Sequence, residues 1–495
     1  MKRVGDEQVN EENQVYERLP RKKISWLTVL SISILTFTAG IVATYLFFEW
    51  EQATIVRNLE GESFDDFLRV LGELQNNHYF FDEDVDLIRG AIDGMIASTG
   101  DAYTNFFTVL DFEDAMGHLR ESFYGIGAEV ATIGGDVVIV TPMPGSPAEH
   151  YGVLAGDVVL SVDGEDVRDE NLREVIDRIR GEYGTVVTLG ILRAGTQLID
   201  IDVTRGRIVN ETVTTEVFEA NGERIGLISV STFGETTLRD FRDAIEALEE
   251  VGIEGLIVDM RNNAGGYLNA VNGMVSYLLP SGLVITSAVD RDGNETVHLT
   301  RGGAEHRLDV DIVTLINGGS ASASEIFAAA MIESGGFEVI GTTSFGKGTV
   351  QQSRSIGEDG ILQLTIQAWL TPDGHLIEGH GVVPTQYVEP AEFLSISQVH
   401  LGDETLLTYD QVHSGVSSAQ MILELLGYPI NRTDGYFDAL TVESVREFQA
   451  DKDLEATGDI DRLTASALSV ALRDKARNPT YDVQLQAALE WLSRE

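Results

Sequence analysis

The chain of 495 residues contains no cysteine. Disulfides, thiolate metal sites and a cysteine nucleophile are therefore excluded. Basic residues are scarce: 34 Lys and Arg stand against 80 Asp and Glu, a formal net charge of −46. A surface this negative repels phosphate backbones, which excludes nucleic acid as a partner. The excess is read as a solvated acidic surface suited to saline or alkaline surroundings, with attraction of cationic substrates as the rival. Proline is rare, 10 residues against 50 glycines. With 43% hydrophobic and 23% charged residues, this is the composition of folded domains and not of collagen, a coiled coil or a disordered chain. No HExxH motif and no carboxylate–histidine ligand cluster is found, so no metal and no organic cofactor is expected. At roughly 150 residues per domain the length predicts about three domains.

One long apolar run is present. Residues 24–48 carry no charged side chain. About 25 residues make ~37 Å of helix, enough to cross a hydrocarbon core of ~30 Å. Arg18, Arg21, Lys22 and Lys23 precede the run, and Glu49 and Glu51 follow it. This predicts a single-pass membrane anchor, with the stub 1–23 and the N-terminus inside and the remainder extracytoplasmic. A cleaved signal peptide, cut near Ala39 or Ala43, is the rival. The run continues through Tyr45, Leu46, Phe47 and Phe48, which is long for a signal core.

The rest reads as a multidomain α/β chain. Helical spacing of Phe64, Phe67, Leu68, Leu71 and Leu74, repeated by Leu87, Ile88, Ala91, Ile92 and Met95, predicts helices over 62–110. This makes 62–121 an N-terminal helical part. Short β runs separated by glycine-containing turns fill 122–205. Strands and helices alternate over 206–390, the mark of α/β layering. A polar stretch, 391–413, reads as a linker. A small all-α module follows at 414–472, and 473–495 supplies a C-terminal helix. Within the module, Gly435-Tyr-Phe-Asp-Ala-Leu-Thr441 is echoed by Gly458-Asp-Ile-Asp-Arg-Leu-Thr464. In each copy a glycine makes a turn and Asp438 or Asp461 caps the next helix.

Three segments carry candidate chemistry. Asn317-Gly-Gly-Ser-Ala-Ser-Ala-Ser-Glu325 follows a buried strand and opens a helix. A serine there sits at the positive end of a helix dipole, beside free backbone N–H groups, which suits a nucleophile whose attack creates an oxyanion. Ser322-x-x-Glu325 is equally a helix capping box. Phe345-Gly-Lys-Gly-Thr-Val-Gln351 sets Lys347 between glycines. Burial there favours the neutral amine that a general base requires, and Gln351, four residues on, faces the same side of a strand. A solvated loop lysine is the plain alternative. Asp259-Met-Arg-Asn-Asn-Ala-Gly-Gly266 follows an apolar strand and forms either a nest of N–H groups or an ordinary turn.

Taken together, in this order and spacing, these segments resemble the C-terminal processing peptidases, serine proteases with a Ser–Lys dyad. Thr371-Pro-Asp-Gly374 and Gly379-His-Gly-Val-Val-Pro384 extend the resemblance, which covers roughly 62–390. It implies a crotonase-like α/β protease core in which Ser322 is the nucleophile, Lys347 the base and Gln351 its orienter. Gly266 and Ala323 would supply the oxyanion hole, and Ser320 and Ser324 would be packing or capping residues. Ala264 and Thr385 depart from the family pattern without touching the dyad. Residues 122–205 resemble a PDZ domain, with Gly145-Ser-Pro-Ala148 and Gly156-Asp-Val158 as further matching turns. That implies a loop of Tyr124, Gly125, Ile126 and Gly127 that binds a peptide carboxylate, the peptide adding as a strand.

Residues 414–472 resemble a peptidoglycan-binding-like domain through Leu426-Gly-Tyr428, Asp434-Gly-Tyr-Phe437, Thr441, Phe448-Gln449 and Thr464. Asp438, Asp461 and Thr457 depart from its pattern, so glycan, a protein partner or a spacer role stays open. The expected partners are protein or peptide substrates with accessible C-termini, the membrane and peptidoglycan, with a homodimer by analogy with relatives. Two rivals remain. One is a Ser–His–Asp hydrolase using His380, although the G-x-S-x-G elbow is missing. The other is a catalytically silent, wall-attached scaffold.

Overall fold

A computed structural model describes residues 62–494, apart from 81, 83–84, 134–135, 194–196, 302–307 and 403–405. The expected transmembrane helix is corrected. Among the described residues no helix is long and apolar enough to cross a membrane, and 24–48 lie outside them. A span needs about 20 consecutive apolar residues. The longest described helix, Glu62–Asn77, has 16 and carries Glu62, Asp65, Asp66, Arg69 and Glu73. The single-pass anchor and the cell-membrane, extracytoplasmic location built on it are accordingly withdrawn.

Glu62–Asn77 and Leu87–Ala97 are helical, as their spacing predicts. Asn105–Thr108, expected within the same helical stretch, is instead a strand antiparallel to Gly360–Leu370. A four-residue strand stabilised by a partner far along the chain leaves no local periodicity to read. It joins a five-stranded antiparallel sheet with Thr349–Ile356, Gly360–Leu370, Val284–Asp290 and Glu295–Leu299.

The main sheet has six strands, ordered Val213–Ala220, Glu223–Val230, Gly255–Asp259, Asp311–Ile316, Glu338–Gly341 and Gln386–Tyr387. The first pair is antiparallel and the others run parallel. Alternate side chains face opposite ways. Leu256 and Val258 point into a core with the helices Thr237–Val251, Leu268–Leu278 and Ala323–Ala329, whereas Ile257 points to the other face. That second face, with Ile225, Leu227, Val313, Leu315 and Ile340, is covered by Leu485, Ala488, Leu489 and Leu492 of the helix Val483–Leu492. Burying each such leucine contributes roughly 2 kcal/mol. The C-terminal helix thus completes the α/β core after the helical module has intervened.

The β-rich domain is inserted into this core. Its flanking strands, Ser122–Gly125 and Gly206–Val209, pair with each other. Between them lies a six-stranded sheet with Ala128–Ile133 at one edge, and the helix Leu172–Ile179 packs Val175 and Ile179 into its core. In the helical module, the segment read as a linker buries Val399, Leu401 and Leu407 against Val416, Phe437 and Phe448. Polar neighbours hide these three residues from a compositional reading.

Candidate active site

Strand Asp311–Ile316 leads into the nucleophile block and its neighbour Gly255–Asp259 into the glycine turn. Both segments therefore lie at the carboxyl ends of adjacent parallel strands, where α/β sheets place their ligands. Polar side chains stitch the two together. Ser320 Oγ donates to the Met260 carbonyl and Ser324 Oγ to the Asn263 carbonyl, both at 2.8 Å. The Ala321 N–H donates to Asn263 O at 2.9 Å, and Asn317 Oδ1 accepts the Asn262 N–H at 2.9 Å. Ser320 and Ser324 are fully buried, which leaves Ser322 as the half-buried serine of the three.

Ser322 has φ 55° and ψ −112°. Positive φ is costly for a residue with a Cβ, and such strain clusters at active sites. The sharp strand-to-helix turn throws the side chain outward, as at a nucleophile elbow. Gly265 (φ 105°) is packed so closely that a Cβ there would stand 2.9 Å from Ser322 Cβ and 3.0 Å from Ala323 N. The N–H groups of Ala323 and Gly266 have no acceptor among the described residues, whereas the Gly265 N–H is taken by Asn263 Oδ1 at 2.9 Å.

The flanking glycines of Lys347 have a steric cause. Residues 377–381 run against the lysine loop, and a Cβ on Gly348 would sit 2.1 Å from Glu378 N. Gly346 has φ 89° and would meet the nitrogens of His380 and Gly381. The lysine itself is half-buried, with Nζ 4.9 Å from the centroid of the Tyr103 ring. Burial pushes its pKa down, while the charges of Glu378 and Glu325 oppose that shift.

Glu325 joins the two segments. It is 0% exposed. Its Oε2 accepts the N–H of Ser322 at 2.7 Å and the N–H of Lys347 at 2.9 Å. Its Oε1 accepts the N–H of Gly346 at 2.7 Å and the Ser344 hydroxyl at 2.5 Å. Among the described residues no hydrogen bond links Ser322 Oγ to Lys347 Nζ. Nor, among the described residues, does a hydrogen bond join Gln351 to the lysine: its amide donates to Thr349 Oγ1 at 2.6 Å. Lys347 precedes the strand Thr349–Ile356, and a register shift falls between Val350 and Gln351. The expected same-face relation presumes one continuous strand, whereas Lys347 lies in the loop ahead of it. His380 is exposed, its Nδ1 2.8 Å from the Glu378 carbonyl.

Sequence reasoning saw Glu325 only as a cap and missed Tyr103, Glu378 and Arg261. The guanidinium of Arg261, in the glycine turn, binds both Asp259 and Asp482 at 2.7 Å. The Asp101-Ala-Tyr-Thr104 turn carries a usable signal. Asp101 accepts the Tyr103 N–H at 2.9 Å and the Thr104 hydroxyl at 2.5 Å, a side-chain turn that fixes the ring.

In the inserted domain, the N–H groups of Ile126 and Gly127 have no acceptor among the described residues. Their carbonyls receive Ala148 N–H and Met143 N–H, so the loop is held with its donors open. Tyr124 and Gly125 lie in the strand paired with Gly206 and Arg207, the tyrosine ring 5.8 Å from that of Tyr183. In the helical module, the residues that carried the resemblance are internal. Buried Gln420 donates to Tyr436 O and Thr441 Oγ1 and accepts the Gly435 N–H. Buried Gln449 repeats this with Asp459 O, Thr464 Oγ1 and the Gly458 N–H. The sequence echo encodes two copies of one structural knot.

A parallel-stranded α/β core that presents a strained serine beside a water-shielded lysine is the framework of a serine-type peptidase. Residues 224–388 match peptidase family S41, 138–193 a PDZ domain and 412–468 a peptidoglycan binding domain. Over 447 residues the chain is 35% identical to the carboxy-terminal processing protease CtpB of Bacillus subtilis, covering 89% of this chain and 91% of that protein. It is 34% identical to CtpA of the same organism over 439 residues, 88% and 91% of the two chains. Among solved structures, the photosystem II D1 C-terminal processing protease matches with 28% identity and a TM-score of 0.41, covering 61% of this chain and 81% of that one. The chain belongs to the carboxy-terminal processing proteases of peptidase family S41.

Proposed function

We propose that Ser322 and Lys347 are the catalytic dyad and that the PDZ domain selects protein substrates by their C-termini. The observation that carries this reading is the meeting of both backbones on Glu325 Oε2, with the serine strained and the lysine half-buried. Neutral Lys347 takes the proton from Ser322 Oγ as the oxygen attacks the scissile carbonyl. The N–H groups of Gly266 and Ala323 receive the oxyanion. Protonated Lys347 then protonates the leaving amine, and water releases the acyl-enzyme. Open donors at Ile126 and Gly127, beside the edge strand Ala128–Ile133, support capture of a terminal carboxylate with strand addition.

Cleavage of an unfolded protein by the Ser322→Ala, Lys347→Ala and His380→Ala variants tests the dyad. The first two lose at least ~10³-fold activity and the third keeps most of it. An inactive His380→Ala variant beside an active Lys347→Ala variant would overturn the reading. For the PDZ loop, Gly127→Val is the probe. Gly127 has φ 73°, and a Cβ there would stand 2.5 Å from Ser146 Cβ. That variant loses affinity for a peptide with a free carboxylate, and equal binding of an amidated peptide by the parent would sink the carboxylate assignment.

A further inference from the structure

We propose that Glu325 is a positioning residue of this peptidase, its carboxylate holding the nucleophile-bearing and base-bearing backbones in one register. The inference rests on the Ser322–Lys347 reading above. Helix capping alone does not account for the contacts. A cap needs only the Ser322 N–H, which Glu325 receives as the N3 residue of its helix. The other three donors, Ser344, Gly346 and Lys347, come from a loop beyond the strand Glu338–Gly341. Ser344 Oγ also accepts the Val382 N–H at 2.6 Å, so the chain of bonds reaches the strap that packs against Gly346.

Chemistry favours a carboxylate in this place. A buried charge is expensive without partners, and among the described residues no cation lies within ion-pair distance of Glu325. Four donors and the N-terminus of a helix compensate for that cost. A glutamine could not serve the same donors. It offers one accepting oxygen, and in either orientation its amide N–H₂ would face at least one backbone N–H, that of Gly346 or those of Ser322 and Lys347. The cost falls on the base, because the negative charges of Glu325 and Glu378 oppose the burial that lowers the Lys347 pKa. A buried acid beside a lysine that must be neutral is thus a compromise between geometry and proton affinity. Its gain is positional: a misplacement of about 1 Å between reacting groups can cost ~10²-fold in rate.

The test uses the full chain cleaving casein between pH 5.5 and 10, with kcat and KM resolved and folding checked by thermal melting. Glu325→Gln is expected to lose at least ~10²-fold in kcat, with KM within about threefold of the parent. The acid limb of its kcat/KM profile moves to lower pH, because one negative charge facing Lys347 is gone while Glu378 and Tyr103 remain. Glu325→Asp keeps the charge but shortens the reach, so kcat falls and the limb stays in place. A Glu325→Gln variant with kcat within about threefold of the parent overturns the proposal. So does a fall in kcat with the limb unmoved, the mark of a merely structural role. Should Glu325→Gln not fold, Glu325→Asp decides, and parent-level kcat in it overturns the proposal. Parent-level activity in Lys347→Ala overturns the dyad itself, and the assignment with it, whatever the Glu325 variants do.

Discussion

Tyr103 lies against Lys347, its ring centroid 4.9 Å from the amine nitrogen. The ring does two opposed things. It shields the amine from water, which favours the neutral base, and its π face attracts the ammonium. Burial is the larger influence, since the net displacement of the Lys347 pKa is downward. A lysine base is active when neutral, so activity falls as pH drops through its pKa. Removing the ring in Tyr103→Ala admits water, raises that pKa and moves the acid limb to higher pH, with at least ~10-fold less activity at pH 7. Tyr103→Phe keeps the shield and stays near the parent. A pH–rate profile of the three proteins checks this, and an unmoved limb in the alanine variant contradicts it.

Gly348 is the second lever on Lys347. Its Cα faces the Glu378 nitrogen, and an added methyl would stand 2.1 Å away. Backbone must shift, and the Gly348 N–H bond to Glu378 Oε2, 2.7 Å, shifts with it. Gly348→Ala is expected to lose roughly 1–3 kcal/mol of stability from overpacking and about 10²-fold in activity from displaced Lys347. Denaturant unfolding and casein cleavage measure the two effects. Parent-like values in both would show that the loop absorbs the methyl.

Asp482 ties the C-terminal helix to the glycine turn. It receives two Arg261 hydrogen bonds, at 2.8 and 2.7 Å, and caps the helix through the Leu485 N–H at 3.0 Å. Burial raises the Asp482 pKa, but its bonds with Arg261 outweigh this and hold it below the usual 3.8. A depressed carboxylate pKa stabilises the fold above the unfolded value. That contribution fades as pH falls below about 4. Asp482→Ala is expected to cost about 2–3 kcal/mol at neutral pH and to lose part of the parent's sensitivity to acid below that point. Unfolding free energies at pH 7 and pH 3 test this. An equal loss at both would assign the effect to packing instead of charge.

Much of the site was legible because its residues are close in sequence. The small side chains of 318–324 and the glycines around Lys347 report tight backbone approach, and the structure supplies the neighbours that require them. Glu325 was legible as a cap but not as a hub, since three of its donors lie about 20 residues downstream and nothing local marks them. Tyr103 was illegible for a stronger reason. It belongs to a turn ahead of the strand Asn105–Thr108, whose partner begins at Gly360, so only tertiary pairing brings it to the lysine. Gln351 was set beside the lysine because period-two reasoning assumes that both residues share a strand, and Lys347 precedes this one. The module's repeat was read correctly as turns and caps, but its glutamines, Gln420 and Gln449, were passed over although they carry the buried bonds.

The order in which the ribosome delivers these parts has a consequence of its own. Residues 225–340 emerge long before Val483–Leu492, so one side of the newborn sheet waits bare until that helix is made. A product cut short ahead of Asp482 would keep that oily side uncovered and the glycine turn untethered. Unfinished copies of this protease would thereby be both inert and conspicuous to the machinery that clears defective chains.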